Sequence, residues 1–122
     1  MRILVCGGRA YSNSESVDAV LGFLDAYGAI TAVVHGGAAG ADTLAGRYAT
    51  KNGIPERVFH ADWAKYGPRA GPIRNAVMLA KGNPDIVVAF PGGRGTADMV
   101  RRAHEKLVPV LDLRPFNQSA RD

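Results

Sequence analysis

The chain has 122 residues, 47% of them hydrophobic and 21% charged, with a formal net charge of +4 and an isoelectric point near 9.6. That length supports one core rather than two, and no apolar run approaches the roughly 20 residues that cross a membrane. The single cysteine, Cys6, cannot form an internal disulfide, so the reading is one cytoplasmic domain whose thiol fills space.

Met1 to Gly8 runs straight into Gly-Gly-Arg, where a signal peptide would place its cleavage site, and so reads as a first strand over Ile3 to Cys6. Ser14 or Ser16 is the expected cap of a first helix carrying Val17, Val20, Leu21 and Leu24, which Gly28 ends. A second strand, Ile30 to Val34, leads through His35-Gly36-Gly37-Ala38-Ala39-Gly40-Ala41 to Asp42, the expected cap of a helix on Leu44, Tyr48 and Ala49 that Gly53 closes. A third strand over Arg57 to His60 precedes a helix on Ile73, Val77, Leu79 and Ala80. The fourth, Ile86 to Phe90, enters Pro91-Gly92-Gly93-Arg94-Gly95-Thr96 and a helix from near Ala97 that carries Met99, Val100, Ala103 and Leu107. Val108 to Leu113 completes the pattern, giving one α/β domain over residues 1–113 and a polar tail over 114–122.

This alternation predicts a Rossmann-like, doubly wound, parallel five-stranded sheet with helices on both faces. Ligands of such sheets lie beyond the carboxyl ends of the strands. The four loops expected there hold ten of the fifteen glycines. Glycine-rich strand-to-helix turns admit an anion to backbone N–H groups at the positive end of a helix dipole. Eleven of the fifteen basic residues are arginine, and Arg9, Arg69, Arg74 and Arg94 lie in or beside these loops. Arginine's planar fork suits phosphate, and without a lysine-rich tract a small phosphorylated ligand is favoured over nucleic acid.

The resulting candidates are Gly7, Gly8, Arg9, Gly92, Gly93, Arg94, Gly95 and Thr96 for phosphate, with His35, Gly36, Gly37, Gly40, Asp62, Trp63, Arg74 and Asn75 closing over ribose and base. Arg74 near the start of its helix is unfavourable for the dipole and points to an anion contact. Asp42, Asp62 and Asp98 are the carboxylates available for acid or base work. No metal-ligand spacing occurs, so neither a metal site nor a cofactor is expected.

Taken together, Gly7-Gly8-Arg9, His35 to Asp42, Asp62-Trp63 with Ala70 to Asn75, and Pro91 to Thr96 resemble the YspA/cpYpsA-related branch of the SLOG superfamily over roughly residues 1–113. The resemblance implies a nucleotide- or nucleotide-sugar-binding or sensing domain, commonly a homodimer. An alternative is hydrolysis of the N-glycosidic bond of a nucleoside 5′-monophosphate, as in the LOG enzymes; another is DprA-like handling of nucleic acid. Arg74 matches the LOG catalytic arginine. The LOG glutamate, counted three residues after the threonine, falls on Met99, with Asp98 the nearest carboxylate. The catalytic candidates are therefore Arg74, Asp98 and Asp42, and Met99→Glu tests whether the missing glutamate accounts for weak or absent hydrolysis.

Overall fold

The computed structural model describes residues 1–119. Five parallel strands, β1 (Arg2–Cys6), β2 (Ala32–His35), β3 (Glu56–Val58), β4 (Ile86–Ala89) and β5 (Val110–Asp112), form one sheet in the order β3-β2-β1-β4-β5. The chain winds outward from β1 in both directions, so the switch point lies between β1 and β4. Strand alternation sends Ile3, Val5, Val33 and Val88 to one face, where Val17, Leu21 and Leu24 of α1 (Ser14–Gly28) and Ala41, Ala45 and Ala49 of α2 (Ala41–Lys51) cover them. Leu4, Cys6, Val34, Val87 and Ala89 meet Met78 and Leu79 of α4 (Ala70–Gly82) and Met99, Val100 and Ala103 of α5 (Arg94–Glu105) on the other. Each fully buried Leu, Val or Met contributes about 1.5–3 kcal/mol, which makes the two-faced alternation the main determinant of the fold.

The five-stranded Rossmann-like sheet follows the expected plan, with differences at the boundaries. Asn13, not Ser14 or Ser16, caps α1, its side chain accepting from the Ser16 amide at 3.1 Å. The third strand is short and all three of its residues are exposed, as suits a sheet edge. The segment between β3 and β4 holds more than one helix: α3 (Trp63–Tyr66) and a 3-10 turn (Gly67–Arg69) precede α4. The expected tail at 114–122 lies partly outside the described residues. Within them, Arg114 is buried and forks onto Asp112, with Nε and Nη2 at 2.9 and 2.7 Å from its two oxygens, ahead of the single turn α6 (Phe116–Ser119). No described helix is long and apolar enough to cross a membrane.

Candidate phosphate and base cleft

At the carboxyl edge of β1 and β4 the loops surround a cleft of about 460 Å³. Its lining unites Gly7, Gly8, Arg9, Asp42, Trp63, Arg74, Asn75, Gly93, Arg94, Gly95, Thr96 and Asp98. A smaller hollow of about 270 Å³ adjoins it, bounded by Gly36, Gly37 and His60, and it shares Arg9, Ala38, Trp63 and Arg74 with the cleft. Pro68 and Met78 also line the cleft, as do Ala38, Gly71 and Pro72, which belong to the quoted motifs but are not among the site candidates. Gly71 and Pro72 carried a signal, because a Gly-Pro pair inside a helix usually answers a local packing demand.

Most of the loop glycines are there so that neighbouring loops can touch. A Cβ on Gly7 would sit 2.6 Å from Ala41 Cβ and 3.0 Å from Phe90 Cβ, and one on Gly8 would sit 3.1 Å from the Pro91 carbonyl. Gly40 precedes α2 at φ +77°, and a Cβ there would meet the Arg9 backbone at 2.6 Å. Gly92 likewise backs onto the Gly8 amide. The Gly8 peptide ties these loops together: its N–H donates to Pro91 O at 2.8 Å, and its carbonyl accepts from the Tyr11 and Ala41 amides at 3.2 Å each. Gly93 and Gly95 are different. A Cβ at either meets nothing within 4 Å, neither has a positive φ, and both line the cleft where α5 begins. The first amides of a helix have no intrahelical acceptor, and the residues that carry those of α5 border this space.

A hydrogen-bonded chain runs along the cleft from α5 through α4 to the loop after β2. Asp98 Oδ2 accepts from Asn75 Nδ2 at 3.0 Å, Asn75 Oδ1 accepts from Arg74 Nε at 3.0 Å, and Arg74 Nη1 donates to Gly36 O at 2.8 Å and Phe59 O at 3.3 Å. Asn75 Nδ2 also reaches Gly95 O at 3.1 Å, which fastens α4 to the phosphate-loop candidate. Burial opposes the Arg74 charge, Asp42 supports it and Arg9 opposes it, with a net downward shift. A cation held under these conditions gains from an arriving anion. Arg9 stacks its guanidinium over Trp63 at 5.2 Å from the ring centroid.

The sequence and the fold both match known proteins. A model of the YspA, cpYpsA-related SLOG family matches residues 1–66, which carry the first two glycine loops and Trp63. The chain belongs to that family. It is 38% identical to the Gene 61 protein of Mycobacterium phage D29, over 91% of this chain and 94% of that protein. It is also similar in fold to DNA processing protein A (DprA) from Streptococcus pneumoniae, with a TM-score of 0.73 at 22% identity over 91% of this chain, which spans only 49% of the DprA chain.

Within this SLOG domain, some expected site residues lie elsewhere. Asp62 is exposed and caps α3, accepting from the Lys65 amide at 3.1 Å. His35 is buried behind the β2 loop; its Nδ1 accepts the Gly37 amide at 3.0 Å, so Nε2 carries the proton toward Glu56 Oε1. Both ring nitrogens are thus committed to the protein. Thr96 does not cap α5, because the helix starts at Arg94 with Gly93 as its N-cap; the threonine is buried with its hydroxyl packed against Gly92. Arg74 and Asp98 both sit one turn inside their helices rather than at the openings expected for them. Cys6 is buried, and burial pushes its thiol far above the ordinary range.

The two acidic candidates that do reach the cleft differ in character. Asp98 is engaged by Asn75, by Arg102 Nε at 2.9 Å and by Arg101; burial alone would raise its carboxyl, but these donors and the Arg102 charge hold it below the usual carboxylate range. It is a fixed anion that orients Asn75. Asp42 is not a cap either. It lies just inside α2, and its Oδ2 turns back to accept the Gly36 and Ala38 amides at 3.1 Å each. Burial raises the Asp42 carboxyl, against the pull of the Ala38 and Gly36 amides and the Arg74 charge. A raised folded-state value means that ionised Asp42 costs stability, and the cost vanishes as pH falls below the ordinary aspartate range. Asp42→Asn keeps an acceptor for the two amides, so at neutral pH it is expected to melt no lower than the parent, and the two melting curves should converge in acid. A lower melting temperature for the variant at neutral pH would show the Arg74 attraction to outweigh burial.

Proposed function

We propose that the domain binds a nucleotide or nucleotide-derived ligand in the cleft between β1 and β4, with phosphate at the opening of α5 and the base toward Trp63. The observation that carries this reading is Gly95, in the first turn of α5. Neither packing nor a positive φ requires glycine there, and glycine within a helix costs about 1 kcal/mol relative to alanine. A ligand phosphate approaching the backbone supplies the reason, and Arg94 and Arg74 lie on the same cleft to balance its charge.

Thermal melting in the presence of nucleoside mono- and diphosphates, NAD and ADP-ribose tests it, because ligand at roughly a hundredfold excess over Kd stabilises by about 2.7 kcal/mol. Gly95→Ala should melt higher than the parent without ligand, yet respond less to the stabilising nucleotide. A panel without any shift sinks the reading. Released base, measured chromatographically in the same samples, separates a binding domain from the second reading, N-glycoside hydrolysis. Asp42 favours that reading: it lines the cleft, and burial raises its carboxyl, a perturbation that carboxyls engaged in acid or base work commonly show. The non-catalytic form is preferred because Asp98, the carboxylate nearest the LOG position, is held by three donors.

A further inference from the structure

The indole of Trp63 lies against Gly71, where a Cβ would stand 3.3 Å from Cη2, and Arg9 covers the ring with its guanidinium. The indole therefore has both Gly71 and the Arg9 guanidinium as neighbours. The Arg9 backbone is set by the neighbouring Gly8 peptide, bonded to Pro91, Tyr11 and Ala41, while the Arg9 side chain is exposed and has no carboxylate partner among the described ion pairs. Arg9 and Trp63 border both the main cleft and the adjoining hollow, so their stack stands between the two spaces. A guanidinium on an aromatic face and an aromatic base on that face are mutually exclusive occupants.

We propose that Arg9 is the specificity-determining residue of the cleft: it shields the indole until a ligand offers an anion, then leaves the ring for the phosphate as the base takes its place. This rests on the nucleotide reading above. The exchange couples two recognitions, since a nucleoside must displace Arg9 without offering the cation a new partner, and inorganic phosphate draws Arg9 away without covering the indole. Binding then selects molecules that carry an aromatic base and a phosphate together.

Trp63 is the chain's sole tryptophan, so its emission reports on the stack directly. The experiment titrates the parent and Arg9→Ala with AMP, ADP, adenosine and inorganic phosphate, following Trp63 fluorescence and, in parallel, calorimetric affinity. Arg9 is exposed, so the variant folds; its melting curve checks this. In the parent, AMP and ADP should change the emission and adenosine should bind far more weakly. In Arg9→Ala, adenosine affinity should rise roughly three- to fivefold as the cation–π contact is vacated, while AMP affinity should fall about tenfold. Equal weakening of AMP and adenosine, or unchanged adenosine affinity, overturns the exchange and leaves Arg9 as a simple phosphate ligand. Calorimetric silence of the parent toward AMP, ADP and every other nucleotide of the melting panel overturns the nucleotide reading and this inference with it. Arg9→Lys distinguishes charge from stacking: it should keep most of the AMP affinity and lose part of the discrimination against adenosine.

Discussion

Met99→Glu is expected to unfold the domain rather than endow it with hydrolysis. Met99 is fully buried, packed among Leu4, Val34, Met78, Val87 and Val100 beneath α5, so a carboxylate there would be desolvated without a partner. Burying an unpaired charge or forcing its neutralisation costs about 4 kcal/mol or more, against a total stability of about 5–15 kcal/mol for a domain of this kind. Circular dichroism and a melting curve check this before any assay is attempted. A folded Met99→Glu protein with a parent-like melting temperature would mean that α5 can rotate to bring position 99 into the cleft. The α5 residue that reaches the cleft from this turn is Asp98, about 100° away around the helix from Met99.

Arg74→Ala is expected to cut affinity for AMP by about 10- to 100-fold while changing adenosine affinity little, since a charged hydrogen bond to phosphate is worth about 1.5–3 kcal/mol. It should also lower stability by about 1–3 kcal/mol, because the Gly36 and Phe59 carbonyls lose their guanidinium donor and Asn75 loses a partner. Arg74→Lys separates the two effects: a point charge can draw phosphate electrostatically, but cannot span Gly36, Phe59 and Asn75 at once. Calorimetry with both ligands reads the binding term, and urea unfolding reads the structural one. If AMP and adenosine weaken equally, Arg74 serves the loop architecture and not the phosphate.

The strands and both buried faces were legible because period-two alternation and helical spacing depend on composition that lies close together in sequence. Val33 with Val34 and Val87 with Val88 announce a strand covered twice, and they pack in opposite clusters. The start of α5 was harder to place, since Gly95 and Thr96 are weak helix formers while the helix in fact opens at Arg94. Asp42 after Gly40 reads as a cap by local rules, yet its side chain serves amides four and six residues upstream. His35 and Glu56 are twenty-one residues apart, and nothing between them signals their pairing. Met99 was already legible as a core position through its spacing with Val100 and Ala103, and that pattern outweighs the count from Thr96.

The junction at Gly8 limits how this molecule can be re-engineered. One residue, through its N–H and its carbonyl, anchors the segments that follow β1 and β4 and the first amide of α2, so an insertion in any of the three displaces the other two. New ligand preferences are therefore more accessible through side-chain exchange at exposed Arg9, Trp63 and Arg94 than through grafted loops. The run from Ala61 to Arg69, outside that junction and largely exposed, is where added length would be accommodated.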